Sequence, residues 1–313
     1  MTKIANVELD HVFEGYVLLK SVLCKTDKNG RSYLDIVFQD TSGVMDGKLW
    51  NISERDIEQY QPNTVVFLKA IRELYKGRTQ LRIMKMRPLN EEEPYTPADF
   101  IKSAPLPVSE MQSQIEQYIQ EIECPEWHQV VSVLYDKYQS SFLTYPAAKK
   151  YHHAYYGGLA YHTLTMLKIA DSLCHIYPVL NASLLYSGVI LHDLGKVLEL
   201  SGVNSTEYTV EGNLIGHLVL MDEEIVSVCL EHQLDPKSEK MVVLRHLVLS
   251  HHGKLEYGSP VQPHILEAEI LHQIDYLDAS MQMMTNALER TSENSYSERI
   301  PGLDNRMFYH IKK

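Results

Sequence analysis

The sequence predicts a multi-domain protein in which an N-terminal all-β barrel is followed by an all-α domain. Short alternating strands separated by turns fill the first 90 residues, and long amphipathic segments fill most of the chain from residue 142. Charged residues and histidines are also distributed unevenly between these two parts of the chain. The first 90 residues carry 14 Lys and Arg against 11 Asp and Glu, the remainder carries 15 against 30, and 13 of the 15 histidines follow residue 150.

Five strands are predicted within the first 90 residues. Leu34, Ile36 and Phe38 alternate with other residues, as the inward face of a half-buried strand does. The Asn29-Gly30 pair before them indicates a tight turn. The strands are expected at residues 15–22, 32–40, 44–50, 64–74 and 79–87, with a short helix at 53–60.

A helix between the third and fourth of five strands is the order of an OB-fold barrel. The passage Phe38-Gln39-Asp40-Thr41-Ser42-Gly43 running into Lys48-Leu49-Trp50 resembles OB domains that bind single-stranded nucleic acid. Such barrels combine a basic groove with aromatic side chains on which bases stack. The candidate nucleic-acid contacts are Lys25, Lys28, Arg31, Tyr33, Trp50, Arg72, Tyr75, Lys76, Arg78 and Arg82.

Residues 91–145 are predicted to form a linker and a helical connector. Residues 90–97 are acidic and contain two prolines, which is typical of a linker. One helix is expected from Ser109, its N-cap, to about Glu123, and a second from Pro125 to about Tyr138. Residues 146–313 form the predicted all-α domain with a polar C-terminal tail.

An apolar run from Ala182 to Leu191 leads directly into His192 and Asp193. The run is typical of a buried helix, which would carry both polar side chains to its C-terminal end. A buried His or Asp needs a partner, and a metal ion is one. An imidazole beside a carboxylate suits Mn, Fe, Co, Ni or Zn better than Ca or Mg alone. Lys196 would place a positive charge where a phosphate could be held.

Further histidine and aspartate residues recur at helix ends or within apolar runs. Their order, His162, His192-Asp193, His217, His251-His252 and Asp275, resembles that of the HD-domain phosphohydrolases that hold two metals. The resemblance covers roughly residues 145–290. It implies one ion bound by His162, His192, Asp193 and Asp275, and a second bound by Asp193, His217, His251 and His252.

Two bound ions would explain phosphodiester hydrolysis without a nucleophilic side chain. Ions roughly 3.5–4 Å apart lower the pKa of a water and stabilise the oxygens of the substrate during in-line attack. Lys196 would add a third positive charge. The sequence shows no Ser-His-Asp or Cys-His arrangement and no Gly-rich Walker loop, so ATP hydrolysis is not supported. Asp193 and Lys196 are therefore the candidate catalytic residues.

The two halves together resemble the YhaM family of bacterial 3′→5′ exoribonucleases. The resemblance lies in the OB passage, Tyr156-Gly157-Gly158-Leu159-Ala160-Tyr161-His162-Thr163, Leu191-His192-Asp193-Leu194-Gly195-Lys196, Gly216-His217 and Ser250-His251-His252-Gly253. It implies release of nucleoside monophosphates from single-stranded RNA. Single-stranded DNA stays open as a further substrate. Two divalent ions are implied, with Mn²⁺ favoured and Co²⁺, Fe²⁺ or Ni²⁺ as alternatives.

Two other interpretations stay open at this point. The first is a phosphohydrolase of small nucleotides or cyclic dinucleotides with a regulatory barrel. The Gly-Tyr-Pro signature of cyclic-dinucleotide HD enzymes is missing after His252, which weighs against part of that interpretation. The second is a non-catalytic nucleic-acid-binding protein with structural metals, against which the full ligand set and Lys196 weigh.

The cysteines and the hydropathy of the sequence indicate the cellular compartment of the protein. Four widely separated cysteines, without a Cys-x-x-Cys pair, favour the reduced cytoplasm. No apolar run is long enough to predict a membrane span, so no membrane partner is expected. HD domains often self-associate, which makes a homo-oligomer a further expectation.

Overall fold

The chain forms two compact units, Met1–Ser103 and Ala104–Lys313. The computed structural model describes residues 3–75, 77–148, 153, 155–202 and 207–312. None of the helices in these ranges combines the length and apolar character that a bilayer crossing requires. The predicted connector of residues 91–145 is divided, because its first part clusters with the strands and its two helices cluster with the helical unit.

The first unit is a closed five-stranded barrel in which strand neighbours follow the order β1-β2-β3-β5-β4. Its elements are β1 (Val12–Thr26), β2 (Ser32–Asp40), β3 (Gly43–Leu49), α1 (Glu54–Gln59), β4 (Val65–Tyr75) and β5 (Arg78–Pro88). The parallel pair β3–β5 closes the sheet, and the other pairs are antiparallel. This order, with a helix between β3 and β4, confirms the predicted OB-fold.

Alternation of apolar residues builds the core of the barrel. Leu34, Ile36 and Phe38 of β2 are almost fully buried, as predicted from their spacing. β1 is longer than the predicted strand because its first half pairs with β4 and its second half pairs with β2. The register between β1 and β2 shifts between Leu19 and Ser21, close to the point where β1 changes its partner from β4 to β2. Ser53 caps α1 in a capping box with Asp56.

The second unit is helical, which confirms the predicted fold class. Its helices are α2 (Val108–Gln120), α3 (Pro125–Phe142), α4 (Gly158–Ile176), α5 (Ala182–Leu191), α6 (Lys196–Glu199), α7 (Val210–Leu214), α8 (His217–Glu231), α9 (Glu239–Ser250) and α10 (Leu266–Leu288). One large apolar cluster joins residues from α2 to α10. After α10 the chain folds back, and Ile300 and Leu303 pack with Ala287 as a separate small cluster.

Two details of the helix predictions are wrong. Ser109 is not an N-cap, because α2 begins at Val108 and the carbonyl of Pro107 already accepts from the amides of Glu110 and Met111. The sequence also predicts one amphipathic helical segment at residues 213–233, but the structure has two helices there, α7 and α8. Gly216 separates them with a φ of 82°, a backbone conformation that a helix does not contain.

Gly47 permits the close approach of β3 and β5 that closes the barrel. It pairs with Leu81 across β3–β5, and a Cβ atom at this position would lie 2.8 Å from the Leu81 carbonyl oxygen and 2.8 Å from the Phe38 ring. We expect Gly47→Ala to lower the free energy of unfolding of the barrel by about 1–3 kcal/mol, because the core is already filled. Urea unfolding of the full chain measures this change. Asp46→Ala, at the neighbouring exposed position, should leave the transition in place.

Candidate metal centre and nucleic-acid face

Five helices bring the predicted metal ligands to one buried cluster. His162 lies in α4, His217 is the first residue of α8, and Asp275 lies in α10. His192 and Asp193 follow the last residue of α5, and His251 and His252 follow the last residue of α9. From Leu184 to Leu191 every residue of α5 is buried, so this helix carries His192 and Asp193 into the interior as predicted.

Glycine allows the ligands to converge. A Cβ atom at Gly195 would lie 2.4 Å from the carbonyl oxygen of His217, so any larger residue would push α8 away from Asp193. This contact gives a physical reason for glycine in the His192-Asp193-Leu194-Gly195-Lys196 motif.

The carboxylate of Asp193 stands between two groups of imidazoles. Its Oδ1 lies 3.4 Å from Nε2 of His217 and 3.7 Å from Nε2 of His251. Its Oδ2 lies 3.4 Å from Nε2 of His192 and 3.8 Å from Nε2 of His162. One carboxylate therefore presents a different oxygen to each group, which is the arrangement that a bridging ligand needs. Asp275 approaches Nε2 of His162 at 3.3 Å.

Each candidate histidine is oriented through its other ring nitrogen. Nδ1 of His192 lies 2.7 Å from the carbonyl oxygen of Val189, and Nδ1 of His251 lies 2.8 Å from that of Val248. Nδ1 of His252 likewise reaches a backbone oxygen, that of Tyr257 at 2.9 Å. A carbonyl can only accept, so Nδ1 carries the proton and Nε2 keeps its lone pair for the cluster.

The donor set fits divalent transition ions. Among the residues that the structure describes, Nε2 of His192, His217 and His251 and Oδ1 of Asp193 are buried without a hydrogen-bond partner. Buried polar atoms without partners are costly, and a cation is the partner that imidazole and carboxylate lone pairs share. Two sets of three, His217/His251/His252 and His162/His192/Asp193, each present ligand atoms within 4.8 Å of one another.

The pKa shifts of His251, His252 and Asp193 agree with this assignment, whereas at His162 a metal ion would have to displace a proton. Burial lowers the pKa of His251, and burial together with His251 and His217 lowers the pKa of His252 to about 3. Burial opposes charge on His162 as well, but Asp275 and Asp278 outweigh it and raise the pKa of His162 to about 10. Burial would raise the pKa of Asp193, yet Lys196 and His192 hold it well below its usual range. The carboxylate is therefore ionised and available as a ligand.

Two carboxylates that sequence analysis missed orient the ligands. Oδ2 of Asp278 lies 2.6 Å from Nδ1 of His162 and 2.7 Å from Nε2 of His153. Oε1 of Glu199 lies 2.9 Å from Nδ1 of His217. Their spacing gave a usable signal, since Asp278 is one helical turn after Asp275 and Glu199 one turn after Lys196. The sequence does not reveal which neighbours along a helix turn toward a ligand.

Lys196 lies beside the cluster, as predicted. Its Nζ is 2.6 Å from Oδ2 of Asp193, and its side chain is largely buried. Asp193 raises the pKa of Lys196 against the opposing effect of burial, so the ammonium stays charged. Lys196 therefore places a largely buried cation directly beside the carboxylate of Asp193.

The barrel presents an aromatic pair on its outer face. The rings of Tyr33 and Trp50 stack with centroids 4.5 Å apart, and Trp50 is half-exposed. Nζ of Lys48 lies 5.4 Å from the Tyr33 centroid and 6.0 Å from that of Trp50. Lys48 was not among the predicted contacts, although the OB passage included it. A groove of about 430 Å³ includes Lys48 and Tyr75 in its lining.

Several of the other predicted contacts have partners within the barrel. Lys25 pairs with Asp35 at 2.5 Å, and Arg82 pairs with Glu73 at 3.0 Å. Arg72 donates to the carbonyls of Ala5 and Val7 and so holds the N-terminal segment. The exposed Lys28 and Arg31 lie in the turn between β1 and β2, while Lys76 and the side chain of Arg78 lie outside the described residues.

An OB barrel followed by a helical unit that contains a buried His/Asp cluster defines a class of protein, the HD-type hydrolases with an additional OB-fold domain. The HD domain family matches residues 159–280. The 3′-5′ exoribonuclease YhaM of Bacillus subtilis is 46% identical over 302 residues, which cover 96% of each chain. YhaM of Bacillus licheniformis is 47% identical over 294 residues, covering 94% of this chain and 93% of that protein.

This chain therefore belongs to the YhaM family. Among solved structures, the second OB-fold domain of replication protein A from Methanococcus maripaludis aligns with 29% of this chain and 97% of its own. Its sequence identity is 11% and its TM-score is 0.24.

Removing the carboxylate that orients His162 tests its role. We expect Asp278→Asn to weaken Mn²⁺ binding by roughly 10- to 100-fold, because an amide no longer fixes the imidazole as a carboxylate does. Calorimetric titration of the metal-free protein measures the change. Asp171→Asn is the matched control, since its carboxylate accepts from the Tyr186 hydroxyl at 2.9 Å and not from a ligand. Equal affinity of Asp278→Asn and the unmodified protein would contradict the orienting role.

Proposed function

We propose that this protein is a metal-dependent 3′→5′ exoribonuclease that hydrolyses single-stranded RNA to nucleoside monophosphates. The observation that carries the proposal is Asp193, whose two oxygens face two separate groups of histidines. Membership of a family whose curated relatives are named 3′-5′ exoribonucleases supports the same activity.

The proposed metal ligands are the seven residues of the cluster, with Asp193 shared between two ions. Imidazole and carboxylate donors favour Mn²⁺, with Co²⁺, Fe²⁺ or Ni²⁺ as alternatives. When bound, two such ions would lower the pKa of a water and offset the charge of the phosphodiester.

The side chains around the cluster have separate tasks in this proposal. Asp278 and Glu199 hold the rings of His162 and His217 in place. Lys196 contacts a phosphate oxygen and stabilises its charge. The lining of the pocket beside Asp193, within the described part of the chain, contains no Ser, Thr or Cys, which favours water as the nucleophile.

The proposed division of labour follows the two units. The barrel of residues 1–90 binds the RNA strand, and residues 146–313 hydrolyse it. Residues 91–145 connect these two parts of the chain. Stacked Tyr33 and Trp50, with Lys48 above them, suit an unpaired base and its phosphate in RNA or in single-stranded DNA. Free thiols at Cys24, Cys124, Cys174 and Cys229 suit the cytoplasm, and a homo-oligomer is the assembly that we infer for an HD domain.

A 5′-labelled single-stranded RNA tests the activity. With Mn²⁺ we expect a ladder that shortens from the 3′ end, because hydrolysis proceeds one nucleotide at a time. The ladder should be absent with EDTA and with Asp193→Asn, which removes the shared charge while keeping the shape of the side chain. Intact RNA, in the presence of bound metal, would reject the exonuclease and direct attention to small nucleotides.

The aromatic pair on the barrel gives a second prediction. We expect Trp50→Ala to weaken RNA binding by about 1–3 kcal/mol, since one stacked base is lost. Fluorescence anisotropy with a labelled RNA in EDTA measures binding without hydrolysis. Val12→Ala, another exposed apolar position of the barrel, is the control. Unchanged affinity of the Trp50 variant would place the RNA on another face.

A further inference from the structure

A pocket of about 230 Å³ opens beside the metal cluster and has two unlike ends. Asp193 and Lys196 form its buried end, together with Asp275. Tyr257 and Tyr276 line the same pocket but are 57% and 47% exposed, so they belong to its mouth. Charged groups thus lie deep, and two large aromatic rings lie at the entrance.

The two tyrosines come from different elements that are each tied to the metal cluster. On α10, Tyr276 shares the pocket face with Asp275 and Ala279, which follow helical spacing. The small side chain of Ala279 leaves room beside the Tyr276 ring. Tyr257 ends the 3₁₀ turn Leu255–Tyr257, and its carbonyl oxygen lies 2.9 Å from Nδ1 of His252.

The order of chemistry along the pocket matches the order of groups in a nucleotide. A phosphate requires the end that holds Lys196 and the proposed metal ligands, where bound ions would offset its charge, whereas a base has apolar faces that stack on exposed aromatic rings. Nζ of Lys254 lies 5.2 Å from the Tyr257 centroid and adds a cation at the mouth. At about 230 Å³ the pocket is smaller than the roughly 300–1,000 Å³ of drug-sized sites, so it suits one nucleotide and not two.

We propose that Tyr257 and Tyr276 bind the base of the 3′-terminal nucleotide by stacking, and that this pocket is the subsite for the nucleotide that is removed. The inference deepens the proposed exoribonuclease function and rests on it. Stacking on a ring accepts each of the four bases, because every base has a π face. The two tyrosines therefore position the end of the strand without selecting its sequence.

Comparison of two RNA substrates tests this subsite. The substrates share one sequence, but the second carries an abasic ribose as its 3′-terminal residue. We expect the unmodified full-length protein with Mn²⁺ to prefer the intact RNA by roughly 5- to 150-fold in kcat/KM, as one stacked base provides. Tyr276→Ala and Tyr257→Ala should each reduce this preference, through KM more than kcat, and should leave the rate on the abasic RNA unchanged.

Three controls separate stacking from a structural role. Tyr276→Phe and Tyr257→Phe keep a ring and should retain the preference. Tyr177→Ala removes an exposed tyrosine outside the pocket and should have no effect. Mn²⁺ titration should give the same stoichiometry for every variant. If the two Ala variants lose kcat/KM equally on the intact and the abasic RNA, the proposal is overturned.

A binding measurement distinguishes failure of this inference from failure of the proposed function. Calorimetry compares AMP with ribose 5-phosphate on the Mn²⁺-loaded protein, where no turnover is needed. We expect AMP to bind more tightly, and the Ala variants to lose that difference. If RNA stays intact but this preference is present, the two tyrosines bind a nucleotide base as inferred, and it is the exonuclease function that fails. If the unmodified protein binds both compounds equally, the subsite is wrong whatever the RNA result.

Discussion

The buried carboxylate of Asp193 is the group on which the helical unit depends. It is almost fully buried, and four imidazoles and one ammonium surround it within 4 Å. An isolated carboxylate would not stay ionised at such a place, because loss of water costs several kcal/mol. The histidines, Lys196 and the metal ions proposed to bind there compensate that cost. The contacts that suit a metal ion therefore also stabilise the buried charge of Asp193.

Much of the architecture was accessible from the sequence because it follows from periodicity. The alternation of Leu34, Ile36 and Phe38 places β2, and the unbroken apolar run before His192 places α5 in the interior. Such patterns reflect burial, which each short segment encodes by itself. The convergence of seven candidate ligands was accessible only through their order along the chain and its resemblance to a known family.

Other features depend on how side chains meet across the fold. Arg72 holds carbonyls of Ala5 and Val7, more than sixty residues away in the chain, and no local pattern distinguishes such an arginine from one at a basic groove. His162 and Asp278 are 116 residues apart, and their contact follows from the packing of α10 against α4. Ser109 shows the limit at short range, since a good capping residue was bypassed when Pro107 supplied the first carbonyl.

The hydrogen bonds of His192 and His251 to backbone carbonyls have a consequence for how this site tolerates mutation. Both rings are held by the residue three positions earlier, Val189 or Val248, through an oxygen that every amino acid possesses. The side chains at these positions are therefore free to vary, within the limits of packing, without disturbing the ligand. Insertion or deletion of one residue in the same turn would instead rotate the ring by about 100° around the helix axis. Substitutions that fit the core are thus compatible with the geometry of the ligands at these turns, whereas insertions and deletions are not.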